Sequence, residues 1–425
     1  MESLSAKGLV ALPQEIIEAI LVEIRPSSLR SVSHVSRSLR SICLPFLYRS
    51  IVLRDPNQAE TFLATLSQSQ HSIPPLVREL QIHYHNTLDE KDQPTTSPEH
   101  IDPIIAKLSS LESLVIKSDF FDYTAAAKFS LLRQPELFPS LTSCHIGFDV
   151  GHLQTWYLFP YEGLLYHPGL RSLTFSGAAV QTSSQQPQTT RSTQLEELRF
   201  LNCDLHASEL ADMLQFPRAL KHFTLKGQGP DPIITPRFSE SDRTEYLDAL
   251  KPHALSLESL DLDLDLDWED PLDMRDFVAL KRLTITPRMA IGDDTEEEEL
   301  DGRTRFTPWK ELLPQSLTHL TFRNDEAVFP LDAIYDIIRD GDLPNLTSFT
   351  CEMLQDTPEY GVSCTPDELL AKQYHNGSSF SQAFGQLGVQ LSVVQVKDSV
   401  AMVENEHCPC PCWTYRHRFG SGVPW

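Results

Sequence analysis

Two rhythms of apolar residues run along this chain. In the first fifty residues they recur every three or four positions, the spacing of one face of a helix. Ile16, Ile17, Ile20, Leu21 and Ile24 make one such stripe behind Leu12-Pro13-Gln14-Glu15. Pro is tolerated in a first turn, where its missing N–H has no intrahelical partner, and Glu15 and Glu18 suit the positive end of the helix dipole. Pro26 predicts the end of this helix. A second is predicted from a cap at Ser27 or Ser28, with Leu29, Val32, Val35, Leu39 and Ile42 on its stripe and Pro45 as its stop. A unit of about forty residues without metal or disulfide rarely completes its own core, so its apolar face needs a partner or the rest of the chain.

Further on the pattern becomes L-x-x-L-x-L, with other apolar residues substituting. It recurs at Val77/Leu80/Ile82, Leu111/Leu114/Ile116, Leu141/Cys144/Ile146, Leu170/Leu173/Phe175 and Leu195/Leu198/Phe200. It continues through Leu220/Phe223/Leu225, Leu257/Leu260/Leu262, Leu280/Leu283/Ile285, Leu317/Leu320/Phe322 and Leu346/Phe349/Cys351, with Leu391/Val394/Val396 as a last member. The fifth unit runs on to Cys203 and Leu205, completing the L-x-x-L-x-L-x-x-C-x-L signature of a leucine-rich repeat. From Val77 to Leu346 the intervals are 34, 30, 29, 25, 25, 37, 23, 37 and 29 residues. The usual period is about 20 to 29, so the long intervals mark insertions that leave the repeat as loops.

Short helical patterns fall between the strands: Leu210, Met213 and Leu214; Tyr246, Leu247 and Leu250; Ile334, Ile337 and Ile338, closed by Gly341. A strand and a helix cannot bury their apolar sides alone, so neighbouring units must stack. The expected class is therefore α/β: N-terminal helices, then a curved, irregular leucine-rich-repeat solenoid with a parallel sheet on its concave face. A doubly wound α/β domain is the alternative. The expected organisation is a flexible 1–9, helices over 10–52, a linker over 53–75, the solenoid over 76–400 and a tail over 401–425. Loop insertions are expected near 90–100, 181–193 and 292–302, the last holding a run of four glutamates, 296–299.

Charge narrows the function. The net charge of −24 includes no basic stripe for phosphate contacts, so a nucleic-acid partner is not expected and a protein partner is. Residues 1–55 hold seven Lys/Arg against five acids, a net of +2, which leaves −26 on the remainder. No apolar run approaches the ~18 residues of a membrane span, and no signal-type apolar core follows the N-terminus, so a cytoplasmic or nuclear protein is expected. Cys43, Cys144, Cys203, Cys351 and Cys364 are scattered singly, as small core residues are in a reducing compartment.

Alternation along each repeat strand picks out the side chains that project from the concave sheet. Early repeats present Gln81, His83, Lys117, His145, Thr174 and Ser176 there, a mild polar surface. Later ones present Glu197, Arg199, His222, Lys226, Asp261, Asp263, Arg282, His319 and Arg323, the candidate target-binding residues. Their mixed signs suit a polar or charged peptide; a merely solvated sheet is the other reading. The alternating acids Asp261, Asp263, Asp265 and Asp267 do not make an EF-hand loop, because Leu266 stands where glycine is needed and Leu272 where the twelfth ligand is needed. His407, Cys408, Cys410, Cys412 and His417 do not match C-x₂-C spacing, and a frayed tail is expected rather than a zinc site. P-loop, G-x-G-x-x-G, G-x-S-x-G and H-E-x-x-H motifs are absent, so neither catalysis nor a cofactor or metal is expected.

Leu12-Pro13-x-Glu15-Ile16-Ile17, Leu29, Val32-Ser33-x-Val35-Ser36-Arg37-x-Leu39-Arg40 and Phe46-Leu47-Tyr48 together resemble an F-box of the fungal style, over residues 10–52. Ser36 and Leu39 stand where that family often has Cys and Trp. The resemblance implies that these helices bind a Skp-type adaptor and, through it, a cullin, while the repeats hold an unidentified protein target for ubiquitylation by an SCF-type ligase. Adaptor contacts would then come from Leu12, Pro13, Glu15, Ile16, Ile17, Ile20, Leu29, Val32, Val35, Arg37 and Leu39. The competing reading is a non-catalytic scaffold whose N-terminal helices only close the open end of the solenoid, or bind the adaptor without forming a ligase. The two differ in one observable: an F-box leaves Leu12, Pro13, Ile16 and Ile20 partly exposed, whereas a cap buries them against the repeat at Val77.

Overall fold

The computed structural model describes residues 12–69, 72–84, 101–118, 138–148, 156–180, 191–226, 242–263, 272–286, 309–324, 331–354, 370–371 and 378–396. The chain opens with helices α1 (Gln14–Val22), α2 (Pro26–Ser33) and α3 (Arg37–Tyr48). There are three helices here where the spacing predicts two. Arg25 precedes α2 and Pro26 occupies its first turn, so neither Ser27 nor Ser28 is the cap. The stripe expected to run unbroken from Leu29 to Ile42 is interrupted at Ser36, whose Oγ accepts the Leu39 N–H at 3.1 Å and starts α3 afresh. Pro45 does not stop α3, which runs on through it to Tyr48.

These helices enclose a small core of Ile17, Leu21, Leu29 and Cys43, with Ile24, Val32, Ile42, Phe46 and Leu47 packed around it. It is separate from the main core. Tyr48, at the end of α3, packs instead against that main core.

The solenoid then alternates strands and helices: β1 (Ser50–Leu53), α4 (Pro56–Gln68), β2 (Glu79–Tyr84), α5 (Ile101–Ile105), β3 (Ser113–Ser118), β4 (Ser143–Phe148), β5 (Trp156–Tyr157), β6 (Ser172–Ser176), β7 (Ala178–Ala179) and β8 (Glu197–Leu201). It goes on through α6 (Ala207–Met213), β9 (His222–Lys226), α7 (Asp242–Leu250), β10 (Ser259–Asp263), β11 (Arg282–Ile285), β12 (His319–Asn324), α8 (Leu331–Arg339), β13 (Ser348–Leu354), α9 (Phe380–Gln386) and β14 (Gln390–Val396). Twelve of the strands form one wholly parallel sheet in the order β1-β2-β3-β4-β6-β8-β9-β10-β11-β12-β13-β14, and β5 pairs with β7 alongside. Apart from the short β5–β7 pair, sheet order is chain order, the connectivity of a solenoid and not of a doubly wound domain.

Register explains the sequence repeat. Leu80, Leu114, Cys144, Leu173, Leu198, Phe223, Leu260, Leu283, Leu320, Phe349 and Leu391 stand opposite one another in succession, and all are buried. Two residues on, the next buried row includes Phe175, Phe200, Leu225, Phe322 and Cys351. Aromatic contacts link successive units: Phe175 stacks on Phe200 at 5.9 Å between centroids, and Phe322 meets Phe349 edge-on at 5.4 Å. Cys144, Cys203 and Cys351 are free and buried in this core, and burial pushes their thiols up, those of Cys144 and Cys203 to about 12.

Two expectations are corrected at the ends of the series. Because Leu391 lies opposite Phe349, it occupies the second apolar position of its unit, so that unit reads Gly388/Leu391/Val393 rather than Leu391/Val394/Val396. At the other end, 53–75 is not a plain linker. β1 pairs with β2, and α4 contributes Ala59, Phe62 and Leu66 to the solenoid core, capped by Asp55, whose Oδ1 accepts the Gln58 N–H at 2.8 Å.

Helices form where the spacing placed them over Leu210–Leu214, Tyr246–Leu250 and Ile334–Ile338, and Gly341 closes α8 at φ +83°. The expected loops near 90–100 and 292–302 and the 401–425 tail lie outside the described residues. So does 181–193 up to residue 190, after which Thr193 is buried and bridges to Pro217. No helix among the described residues is long and apolar enough to cross a membrane.

Candidate interaction surfaces

The first surface is the outer side of α1. Ile16 and Ile20 lie one turn apart on it, with Leu12 just ahead of the helix, and the three are 49%, 39% and 39% exposed. Pro13 and Glu15 are exposed beside them, as are Val35 and Arg37 at the corner between α2 and α3. The remaining expected adaptor residues face elsewhere. Ile17 and Leu29 form the small helical core, Leu39 is buried, and Val32 is half-buried against that core. They hold the shape of the surface rather than line it. Residues 9–54 match the family described as F-box-like.

This segment is an F-box-like domain. No curated protein matches the chain. Among solved structures, the crystal structure of the leucine-rich repeat-containing protein LegL7 from Legionella pneumophila aligns with 80% of this chain and 98% of that one, at 14% identity and a TM-score of 0.40. The leucine-rich-repeat-like character of the solenoid rests on its own parallel sheet and register.

The second surface is the concave face. All nine expected residues project there from β8 to β12, and several are already engaged with one another. Glu197 accepts from Ser172 Oγ at 2.6 Å and from Arg199 Nε at 2.7 Å. Burial pulls its carboxyl up, but these two bonds and the Arg199 charge outweigh burial and hold it below the ordinary range. Lys226 Nζ lies 2.8 Å from Asp261. Arg323, only 9% exposed, gathers Asp261 at 3.2 Å, Asp263 at 3.3 Å and Glu352 at 3.1 Å. Burial works against the Arg323 charge but the three carboxylates outweigh it, raising its pKa; burial raises that of Asp263. Arg282 and His319 are exposed in the first row of side chains, with the His319 ring 2.8 Å from Thr318 Oγ1.

Glu352 is not among the expected residues, although the alternation that singles out Arg323 places it one strand further along. On the earlier strands His145 Nε2 is 3.0 Å from Ser176 Oγ. Its pKa falls to about 4, through burial first and then through Lys117, His83 and Arg199. Among the described residues no group of three His, Cys, Asp or Glu could hold a metal ion. Asp261 and Asp263 serve Arg323 instead.

Proposed function

We propose that this chain is the target-recognition subunit of an SCF-type cullin-RING ubiquitin ligase, acting in the cytoplasm or nucleus. The F-box-like domain docks on a Skp-type adaptor, and through it a cullin, by the exposed face of Leu12, Pro13, Glu15, Ile16 and Ile20, with Val35 and Arg37. The concave residues Glu197, Arg199, His222, Lys226, Asp261, Asp263, Arg282, His319 and Arg323 face the protein target. Bond-making belongs to other subunits; this chain supplies proximity.

The observation that carries this reading is the exposure of Leu12, Ile16 and Ile20 over a helical core of their own. A cap would bury that row in the solenoid. The test is capture of purified adaptor and cullin by the full chain and by an Ile16→Asp/Ile20→Asp variant. The expected result is that the wild type retains both proteins and the variant neither. Capture of neither by the wild type overturns the ligase reading and leaves a repeat scaffold.

A further inference from the structure

From β2 to β8 the second row of concave side chains is Gln81, Val115, His145, Thr174 and Arg199, and the next, two residues further along each strand, is His83, Lys117, Gly147, Ser176 and Leu201. These rows contain no acid. From β9 onward the same rows carry Lys226, Asp261, Asp263, Arg323 and Glu352, in which carboxylates predominate. Within these two rows the charge thus shifts from basic to acidic along the sheet, while the acids of β2–β8, Glu79 and Glu197, stand in the first row, two residues nearer the strand starts.

Within that part there is a trough. Lys117 on β3 and Arg199 on β8 are exposed, and between them the floor is made of Thr174, Ser176 and the neutral ring of His145, with Gly147 buried beneath. A Cβ on Gly147 would stand 2.9 Å from the Ser176 Cβ and 3.6 Å from His145 Nε2, so the β4–β6 approach requires glycine and lets those two side chains close over it. Arg199 is already oriented: Ser172 holds Glu197, Glu197 holds one edge of the guanidinium, and the other donors remain for a ligand.

We propose that this trough receives an extended acidic segment of the protein target, with two carboxylate side chains four residues apart, one on Lys117 and the other on Arg199. Three strand spacings and two residues along the strands separate those residues, about 16 Å, and four residues of extended chain span about 13 Å with both side chains on one side, the reach of the lysine and arginine side chains covering the rest. The hydroxyls of Thr174 and Ser176 lie under the connecting backbone. Physiological salt screens the repulsion of the distant acids over ~8 Å while the local contacts persist. This deepens the target-binding reading of the concave face and rests on it.

The test uses the full chain without adaptor, so its failure is distinguishable from failure of the adaptor capture. Fluorescence anisotropy is measured with a fluorescein-labelled ten-residue Gly/Ser peptide carrying Glu at positions three and seven, with its Gln counterpart, and with a phosphoserine counterpart. The Glu peptide is expected to bind about tenfold tighter than the Gln peptide. Lys117→Glu and Arg199→Gln should each remove most of that difference, while Lys107→Gln, at an exposed position just past α5, should keep it. Seating of the carboxylates should also raise the His145 pKa, read from its imidazole proton shifts, and melting curves should show the variants folded. Equal binding of the Glu and Gln peptides, or a preference that survives Lys117→Glu, overturns the proposal. Binding of the phosphoserine peptide alone also overturns it, in favour of a phosphate site.

Discussion

Arg323 on β12 is ion-paired to Asp261 on β10, two strands away, with its Nη1 3.2 Å from Asp261 Oδ1. The strand between them presents Thr284 and, just past its end at Ile285, Thr286. Both side chains are short and uncharged, so the long guanidinium side chain reaches over them to the carboxylates beyond. One residue therefore ties neighbouring units together, with Glu352 on β13 as its third carboxylate.

Removing that cation should cost more than a surface ion pair would. Arg323→Ala leaves Asp261, Asp263 and Glu352 facing one another with only Lys226 to compensate. The expected loss is about 2 to 3 kcal/mol in urea unfolding, toward the lower end for breaking a buried pair because the acids keep some solvent access. A loss below about 0.5 kcal/mol would mean that the network behaves as an exposed one.

Acid should destabilise the fold through two histidines. The His253 ring accepts the Leu220 N–H at Nδ1, 3.3 Å away, and donates from Nε2 to the Leu214 carbonyl at 2.8 Å, so it bridges two units in its neutral form; burial lowers its pKa. His145 is lowered to about 4, mainly by burial. A histidine whose folded pKa lies below its unfolded value contributes stability that is intact above the unfolded value and lost as the pH falls through it toward the folded one. The melting temperature should therefore drop between about pH 6.5 and 4. His253→Gln, which removes the titration, should flatten part of that slope.

Two glycines should respond to alanine for different reasons. Gly341 has φ +83° and nothing within 4 Å of an added Cβ, so Gly341→Ala costs only backbone strain, about 1 kcal/mol. Gly147→Ala meets Ser176 and should cost more, with partial recovery in the Gly147→Ala/Ser176→Gly double variant. Thermal melts of the wild type and these variants check this, and the absence of recovery would show that the Ser176 contact is not the cause.

Ile16 and Ile17 are sequence neighbours with opposite exposures. Ile16→Asp should leave the melting curve unchanged within about 0.5 kcal/mol. Ile17→Asp places a charge in the small helical core and should unfold the F-box-like domain while the solenoid persists. Limited proteolysis followed by mass spectrometry of the N-terminal fifty residues separates the two outcomes.

Much of this architecture is legible in the spacing of apolar residues, because each unit must place the same two positions of its strand in the core. Leu80, Leu114, Leu173 and Leu198 announce themselves in this way. The last unit is misread from spacing because Gly388 stands where its first leucine would be, so the visible run begins at Leu391. The break at Ser36 is obscured because Val35 fits the helical stripe by spacing alone, although it ends up exposed at the corner. The concave charges can be named from alternation, but their pairing cannot: Arg323 and Asp261 are 62 residues apart and meet only across an intervening strand.

Arg49 is the single residue between α3 and β1, and its carbonyl accepts the N–H groups of both Arg78 and Glu79, each at 2.9 Å. The joint between the F-box-like domain and the repeats is thus itself stitched into the sheet, leaving no slack between them. Under the proposed function the solenoid becomes a ruler: every strand further along it carries a bound target about 4.8 Å further from the adaptor. On that reading the proposed trough from β3 to β8 lies two to five divisions along, and geometry rather than a tether sets how far a bound target stands from the site of ubiquitin transfer.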